Sequence, residues 1–307
     1  MPSHGHLVNS ISVDVEDYFH AEALAGHVQR EDWDSMPSRV ETNTHRVLEL
    51  LARHGARGTF FILGWVAKKF PLLVREIRDA GHEIACHSLW HRLIYRLTPE
   101  EFRADTREAK QRIEDTAGAQ VFGYRAPTFS VTAQSLWALD ILAEEGFTFD
   151  SSIYPIRHDF YGMPDYSRFV CQQTTRSGRL VEFPLATFRT LGTNWPFGGG
   201  GYLRIFPLAY THWGFAKLNS EERQPVNVYF HPWELDPGQP RLPLGAKSRF
   251  RHYTNLGAMQ ARLDALLSRY KFAPMGELLA EGKLLPHPAA PAAAATSCIP
   301  AQEIKEK

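Results

Sequence analysis

The sequence predicts an α/β fold in which about seven parallel strands form a (β/α) barrel. Strand-like runs alternate with segments of helical periodicity along most of the 307 residues, and this alternation is typical of parallel sheets connected by helices. Most of the strand-like runs are apolar throughout, as expected for strands that are covered on both faces. Seven such runs suit a barrel better than an open sheet.

The predicted elements follow one another in a regular order along the first two thirds of the chain. The best defined is a helix that opens with Thr98 as its N-cap, Pro99 at the first helical position and Glu101 completing a capping box. The predicted strands are residues 8–15, 57–63, 82–86, 121–125, 147–150, 180–185 and 227–231. The predicted helices are residues 39–55, 70–81, 98–118, 130–146 and 254–270.

The stretch from Phe188 to Pro225 does not follow this alternation of strands and helices and is interpreted as an insertion. It contains many aromatic residues and the glycine run 198–201, which lacks the lysine of a phosphate-binding loop and is expected to be a mobile loop near the substrate. We expect residues 1–285 to form a single domain, with an insertion and C-terminal extension at about 188–285. The Pro/Ala-rich tail 286–307 is predicted to be disordered.

Composition constrains partners and location. The 34 basic residues balance 34 acidic ones, which gives no argument for nucleic-acid binding. No run of about eighteen apolar residues exists, so no membrane span is predicted, and no secretory signal is recognisable. Cys86, Cys171 and Cys298 are widely spaced and predict no disulfide framework, which favours a reducing compartment. We therefore expect a soluble, cytoplasmic protein, and no pattern indicates its oligomeric state.

Titratable side chains follow the predicted strands at their carboxyl ends. In α/β barrels the reactive groups lie at that rim, where the connecting loops gather. We therefore expect one polar rim. The residues concerned are Asp14, Glu16 and Asp17 at the end of the first strand, His87 and His91 after the third, and Arg125, Asp150 and His231 at the ends of the fourth, fifth and seventh.

His87 and His91 are candidate metal ligands. Their spacing would place both imidazoles on one face of a helical turn, which suits a metal site. Spacing alone is weak evidence, because the chain has 14 histidines. Their place on the same rim as the acidic cluster strengthens the interpretation, since a carboxylate and two histidines would leave open positions on a divalent ion.

These residues belong to an ordered set of motifs. The motifs are DVEDYFH (14–20), GTFFILGWVAKKFPLLVREIRDAGHEIACHSLWH (58–91), RAP (125–127) and NVYFHPWELD (227–236). Over roughly residues 8–236 the set resembles the polysaccharide deacetylases of the NodB-homology group, carbohydrate esterase family 4. The first motif, with the segment from about 188 to 272, is more similar still to a subgroup associated with bacterial exopolysaccharide and exosortase operons. The resemblance implies an irregular, TIM-like barrel of about seven strands.

The resemblance also implies a reaction, the metal-dependent removal of N-acetyl groups from hexosamines of a bacterial exopolysaccharide or its precursor. Asp14 would be the general base that activates water, and Arg125 would pair with it and orient it. His87 and His91 would be metal ligands, and His231 would protonate the departing amine. A mixed oxygen and nitrogen ligand set favours Zn²⁺, with Co²⁺, Mn²⁺ or Ni²⁺ as alternatives.

The third metal ligand stays open between Glu16 and Asp17. The commoner pattern of the family has two adjacent aspartates, from which this chain departs. Strand alternation places Asp14 and Glu16 on the same face, so Glu16 serves as the ligand if the strand stays extended. If the strand bends after Val15, Asp17 takes that role.

Substrate contacts and two other functions complete the hypotheses. Pro127, Tyr154 and Trp233 are candidate substrate-binding residues, although core packing is the alternative for each aromatic ring. One other function is that of a related C–N hydrolase of the allantoinase-like branch, acting on a small amide. The other is that of a catalytically inactive glycan-binding protein, against which the complete set of candidate catalytic residues argues.

Overall fold

The computed structural model describes residues 7–281 and Cys298. Its central feature is a predominantly parallel β-sheet, which confirms the predicted α/β class. The strands are β1 (Val8–Val15), β2 (Thr59–Ile62), β3 (Glu83–Cys86), β4 (Gly123–Tyr124), β5 (Phe149–Asp150), β6 (Cys171–Thr175), β7 (Gly178–Glu182), β8 (Thr187–Thr190), β9 (Thr193–Pro196), β10 (Asn227–Phe230) and β11 (Lys271–Ala273).

The order of strands in the sheet is β10-β1-β2-β3-β4-β5-β7-β6. All seven strands from β10 to β7 pair in parallel, β6 is antiparallel to β7, and β11 pairs in parallel with β1. Within residues 7–281 the ladder does not join its two ends, and Gly199 pairs instead with Tyr229 of β10 as an isolated parallel bridge.

β1 lies inside the sheet, where it pairs with β2, β10 and β11. Ile11, Val13 and Val15 belong to the hydrophobic core. Ser12 and Asp14 are buried as well but point to the opposite face, because successive side chains alternate along a strand. A strand that is buried on both faces thus delivers a carboxylate to the interior of the fold.

Helices cover the sheet, and the predicted capping box is confirmed. At the start of α4, Glu101 N–H donates to Thr98 Oγ1 (3.2 Å) and Thr98 N–H donates to Glu101 Oε2 (2.9 Å). None of the helices in residues 7–281 is both long and apolar enough to cross a membrane. The helices are α1 (Val40–Arg53), α2 (Gly64–Lys69), α3 (Pro71–Asp79), α4 (Pro99–Ala117), α5 (Trp137–Glu144), α6 (Gly200–Ile205), α7 (Leu208–Phe215), α8 (Ala246–Tyr253), α9 (Leu256–Arg269) and α10 (Met275–Glu281).

The start predicted for the fourth helix was wrong. α5 begins at Trp137 rather than at residue 130. The Ser135 hydroxyl donates to the Ser130 carbonyl (3.0 Å) and accepts from Thr132 N–H (2.9 Å). These side-chain bonds hold the preceding residues in a turn, as serine and threonine do when they compete with helix formation.

The stretch predicted to be an insertion consists of regular elements. β8 and β9 form an antiparallel hairpin, and α6 and α7 follow. The glycine run is packed rather than a mobile loop: Gly198, Gly199 and Gly200 are buried, and a Cβ on Gly199 would come within 2.1 Å of the Tyr229 carbonyl oxygen. β7, β10 and β11 join the sheet that contains β1–β5, so the two parts of the chain share one core.

A disulfide joins Cys171 of β6 to Cys298. The prediction of no disulfide framework was therefore wrong, and the argument from cysteine spacing for a reducing compartment no longer holds. Spacing does not reveal the pair because 127 residues separate the two cysteines. Cys298 is buried; the other residues of the tail predicted to be disordered, and residues 282–285 of the predicted domain, lie outside the described residues.

Candidate active site

Glu16, His87 and His91 bring three ligand atoms together at the carboxyl ends of β1 and β3. Their donor atoms all lie within 4.8 Å of one another. His91 Nε2 is 2.8 Å and His87 Nε2 is 4.0 Å from Glu16 Oε2, and neither contact has the geometry of a hydrogen bond. Burial opposes ionisation of Glu16, but His91 and His231 hold its pKa well below the usual range. A buried, ionised and unpartnered oxygen beside two imidazoles fits a divalent cation.

The two histidines meet through a loop, so the predicted helical turn was wrong. The chain leaves β3 with positive φ angles at Ser88 (63°) and His91 (52°). His91 N–H donates to Ser88 Oγ (3.1 Å), which stabilises this uncommon backbone. His87 Nδ1–H donates to the Arg125 carbonyl (2.9 Å), and that bond leaves Nε2 of His87 with a free lone pair.

Asp17 bonds to the start of a helix, whereas Glu16 faces the two histidines. One carboxylate oxygen accepts from Ser38 Oγ (2.6 Å) and from the N–H groups of Arg39 (2.7 Å) and Val40 (3.1 Å). These bonds cap the start of α1. The alternative in which Asp17 is the third ligand does not fit this geometry, because its oxygens are engaged away from the histidines.

Asp14 is held by a fully buried arginine. Arg125 Nη1 donates to Asp14 Oδ1 (2.7 Å) and to Ser12 Oγ (2.9 Å). Its Nε and Nη2 donate to the carbonyl and hydroxyl of Ser151 (3.0 and 2.9 Å). Asp14 Oδ2 is left facing His231, whose Nε2 lies 3.8 Å away.

His231 follows β10 and faces both carboxylates. Its Nδ1–H donates to Glu234 Oε1 (2.8 Å), and its Nε2 lies 3.7 Å from Glu16 Oε1. Burial alone would lower the pKa of His231, but Glu16 and Glu234 raise it to about 9. Glu234 also accepts from Nε of the buried Arg204 in α6. Burial opposes ionisation of Glu234, but Arg204 and His231 lower its pKa to about 2.

The candidate substrate-binding residues are placed differently from expectation. The Trp233 indole N–H donates to Glu16 Oε1 (3.1 Å), and its ring is stacked between His231 and His252. Trp233 thus supports Glu16 and has no free face for a sugar. Tyr154 is completely buried and Pro127 is buried in the turn after β4, and neither lines the cavity described next.

A cavity of about 330 Å³ opens above these groups, a volume at the lower end of the range for small-molecule sites. Its floor is formed by Asp14, Glu16, His87, His91, His231 and Trp233. Its wall is formed by residues 21–23, the turn at Thr128 and Phe129, the loop after β5, α6 and one side of α8.

Sequence reasoning missed Glu234 and Arg204. Glu234 has a local signal, since it follows His231 by three residues in the HPWE motif. Arg204 has no such signal, because its partner Glu234 lies 30 residues away in the sequence.

Two known families match successive parts of the chain. Residues 32–148 match the family described as polysaccharide deacetylase. Over this part the chain is similar to the polysaccharide deacetylases. Residues 151–280 match a domain of unknown function, DUF3473.

Individual relatives of the deacetylase part come from bacteria and a fungus. The chain is 25% identical over 149 residues to a peptidoglycan-N-acetylglucosamine deacetylase of Bacillus cereus, covering 45% of this chain and 53% of that protein. It is 30% identical over 207 residues to the peptidoglycan deacetylase-like protein FGM2 of Gibberella zeae, covering 62% of this chain and 58% of that protein. The chain thus spans little more than half the length of these two curated relatives.

Two solved structures show the same fold over nearly the whole chain. A Mycobacterium smegmatis protein assigned to the polysaccharide deacetylases aligns with a TM-score of 0.61 at 21% identity, covering 96% of this chain and 97% of that one. Puue allantoinase aligns with a TM-score of 0.58 at 15% identity, covering 91% of this chain and 90% of that one.

The deacetylase-family match does not contain the whole candidate site. Residues 32–148 provide His87, His91 and Arg125, whereas Asp14 and Glu16 precede the match. His231, Trp233, Glu234 and Arg204 come from the part that matches the domain of unknown function. The complete candidate site therefore forms only when the two parts of the chain fold together.

Proposed function

We propose that this protein is a metal-dependent N-deacetylase that hydrolyses the acetamide groups of hexosamines in a glycan. The observation that carries the proposal is a Glu16–His87–His91 cluster that shares one cavity with two oriented acid–base groups, Asp14 and His231. The deacetylase-family match supports the same reaction, as do relatives named peptidoglycan and chitooligosaccharide deacetylases.

Glu16, His87 and His91 are the residues that would hold the metal. One carboxylate and two imidazoles suit Zn²⁺ best, with Co²⁺, Mn²⁺ and Ni²⁺ as alternatives. A divalent ion, when bound, supplies Lewis acidity that polarises the acetamide carbonyl and acidifies water. His87 and Glu16 are held by Arg125 and Trp233 respectively, and such supporting bonds orient ligands before an ion arrives.

Asp14 would act as the general base. Arg125 occupies Oδ1, so Oδ2 is the oxygen that faces the cavity and accepts a proton from the attacking water. Ser151 and Ser12 fix the guanidinium in turn. The base is therefore held in one orientation before substrate binds.

His231 would act as the general acid. Amide hydrolysis expels an amine, which leaves readily only when its nitrogen is protonated. Glu234 accepts the Nδ1 proton of His231, so the second proton sits on Nε2, the nitrogen that faces Asp14 and Glu16. The proton that Asp14 removes from water is thus balanced by the one that His231 delivers, and the products are acetate and an amine.

We further propose that the substrate is a hexosamine-containing exopolysaccharide or its precursor. Support comes from the similarity of the opening motif and of the segment at about 188–272 to deacetylases of exopolysaccharide operons. Acetyl removal from such a polymer would leave free amines, which are positively charged at neutral pH and change how the polymer interacts with its surroundings.

Metal content and acetate release test the proposal together. Purified protein supplied with Zn²⁺ is expected to bind about one ion per chain and to release acetate from chitotetraose. His91→Ala is expected to lose both properties. His45→Ala removes an exposed histidine of α1 and serves as the matched control that changes neither.

Two results would contradict the proposal in different ways. Failure of the wild-type protein to bind Zn²⁺ or Co²⁺ would remove its basis. Metal binding with hydrolysis of allantoin, but of no acetylated oligosaccharide, would assign the site to small cyclic ureides instead.

A further inference from the structure

Most of the wall of the cavity is contributed by the part of the chain that matches a domain of unknown function. His158, Phe160, Tyr161 and Arg251 from this part all line the cavity. We propose that residues 151–280 supply the glycan-binding wall, and that Phe160 is the platform on which the sugar ring next to the acetylated unit stacks. The inference rests on the proposed function and adds a specificity-determining residue to it.

The segment that carries Phe160 is held by ring stacking and a backbone hydrogen bond. We define the aromatic loop as residues 154–164. The Tyr161 ring is stacked on Tyr154 (centroids 5.8 Å, planes 7° apart) and on His158 (3.9 Å, 15°). Met163 N–H donates to the Tyr154 carbonyl (2.9 Å) and closes the loop. A binding surface that is ordered in advance loses little conformational entropy when a ligand arrives.

Asp159 clamps the aromatic loop to α8. Its carboxylate accepts from Lys247 Nζ (2.5 Å) and from Arg251 Nη2 (3.1 Å). The aromatic loop and α8 therefore form one continuous wall. Because one carboxylate bonds both cations, Lys247 and Arg251 are tied to the loop rather than free in the cavity.

Phe160 is the aromatic side chain of the loop that the fold leaves open. It is 43% exposed although it lines the cavity, whereas its neighbour Tyr161 is engaged in the stack. An exposed aromatic ring at the edge of a cavity is apolar surface that a ligand can cover. The C–H face of a pyranose ring is flat and apolar, and the cavity floor below Phe160 holds the acid–base groups. A ring that covers Phe160 would thus extend from the unit whose acetamide reaches the floor.

The test compares Phe160→Ala with Phe250→Ala. Phe250 lies on α8 and is 54% exposed, but it lines a separate depression, so the control removes the same side chain without touching the wall. With chitotetraose, Phe160→Ala is expected to raise KM about five- to tenfold and to change kcat less than about twofold. Phe250→Ala is expected to change neither.

Asp159→Asn is a second variant that acts on the clamp. It leaves Phe160 in place but weakens the attachment of the aromatic loop to α8, so KM for chitotetraose should rise. The thermal midpoint of each variant reports whether its fold is intact. An unchanged KM in Asp159→Asn would contradict the role of the clamp.

Direct binding separates failure of this inference from failure of the proposed function. Calorimetric titration with chitotetraose needs no hydrolysis, so a loss of affinity in Phe160→Ala but not in Phe250→Ala supports the wall even if no acetate is released. Equal KM and equal affinity in the wild type and Phe160→Ala would overturn the inference. Absence of chitotetraose binding to the wild type would also overturn it, because the wall would then not recognise neutral hexosamine rings.

Discussion

At the residue scale, each of the two acid–base groups is oriented by a buried arginine. Arg125 donates directly to Asp14, and Arg204 donates to Glu234, which holds His231. A buried guanidinium is costly unless its N–H groups are bonded and its charge is paired. Both arginines meet these conditions, and in doing so they fix which oxygen of Asp14 and which nitrogen of His231 face the cavity.

Glu234→Gln tests the orientation of His231. The neutral amide keeps the shape of the side chain but loses the charge that holds the imidazolium, so kcat for acetate release should fall at least about tenfold, equivalent to ~1.4 kcal/mol. KM and bound Zn²⁺ should stay near the wild-type values. Glu222→Gln changes a carboxylate that pairs with Arg168 away from the cavity and is the matched control. An unaltered kcat in Glu234→Gln would show that His231 does not need this partner.

Glu16→Gln and Asp17→Asn separate the two neighbouring acids. Glu16→Gln should lose the metal ion, because it removes the charged oxygen beside His91. Asp17→Asn should keep the ion but lower the free energy of unfolding by about 1–2 kcal/mol, since it weakens the cap of α1. Metal analysis after dialysis and urea unfolding measure the two effects. Loss of the ion in Asp17→Asn alone would reverse the assignment.

The choice between these acids could not be made from the sequence. Asp14, His87, His91, Arg125 and His231 were found because each follows an apolar strand. Asp17 looks the same in the sequence, but its partners Ser38, Arg39 and Val40 lie more than twenty residues further on. Asp17 caps a helix rather than facing the histidines because α1 begins beside it in the fold.

At the element scale, the contact between β5 and β7 contains two buried carboxyl groups. Asp150 and Glu182 are register neighbours, and both are fully buried. Burial raises the pKa of Asp150 to about 6. Burial and the neighbouring Asp150 raise the pKa of Glu182 well above its usual range. Near neutral pH the two groups therefore share a proton that the unfolded chain does not bind.

This pair predicts how stability depends on pH. Unfolded carboxyl groups ionise near pH 4, so the folded state binds the extra proton above that pH and loses the associated stability as pH rises through about 6. The free energy of unfolding should fall as pH rises from about 4 through about 6, by up to about 1.4 kcal/mol per pH unit for one proton. Glu182→Gln should flatten this profile, measured by urea unfolding. Parallel profiles for the two proteins would contradict the shared proton.

Elements with local signals were predicted, and those held by distant contacts were not. The start of α4 could be predicted because its capping box lies within four consecutive residues. By contrast, β8, β9 and α6–α8 are only four to eight residues long, which is too short for a periodic pattern. Their formation depends on packing such as that of Phe188 against Trp213, and sequence periodicity does not report such contacts.

At the scale of the whole molecule, the disulfide closes a loop that contains most of the second half of the chain. Cys298→Ser should lower the free energy of unfolding by about 2–4 kcal/mol, because the unfolded chain then gains conformational freedom. Urea unfolding with and without a reductant measures the effect. Reductant should have no further effect on Cys171→Ser, and an unchanged midpoint for the reduced wild type would contradict the prediction.

The order of strands in the sheet has a consequence for biosynthesis. Ser12 of β1 and Val228 of β10 meet in the structure but are 216 residues apart in the chain, and the ribosome makes β1 first. A nascent chain therefore carries Glu16, His87 and His91 long before the strand that delivers His231 exists, and one edge of β1 stays open until then. A chain released early would retain the proposed metal ligands but lack the proposed proton donor. Hydrolytic activity would then appear only in chains whose synthesis had continued past β10 and His231.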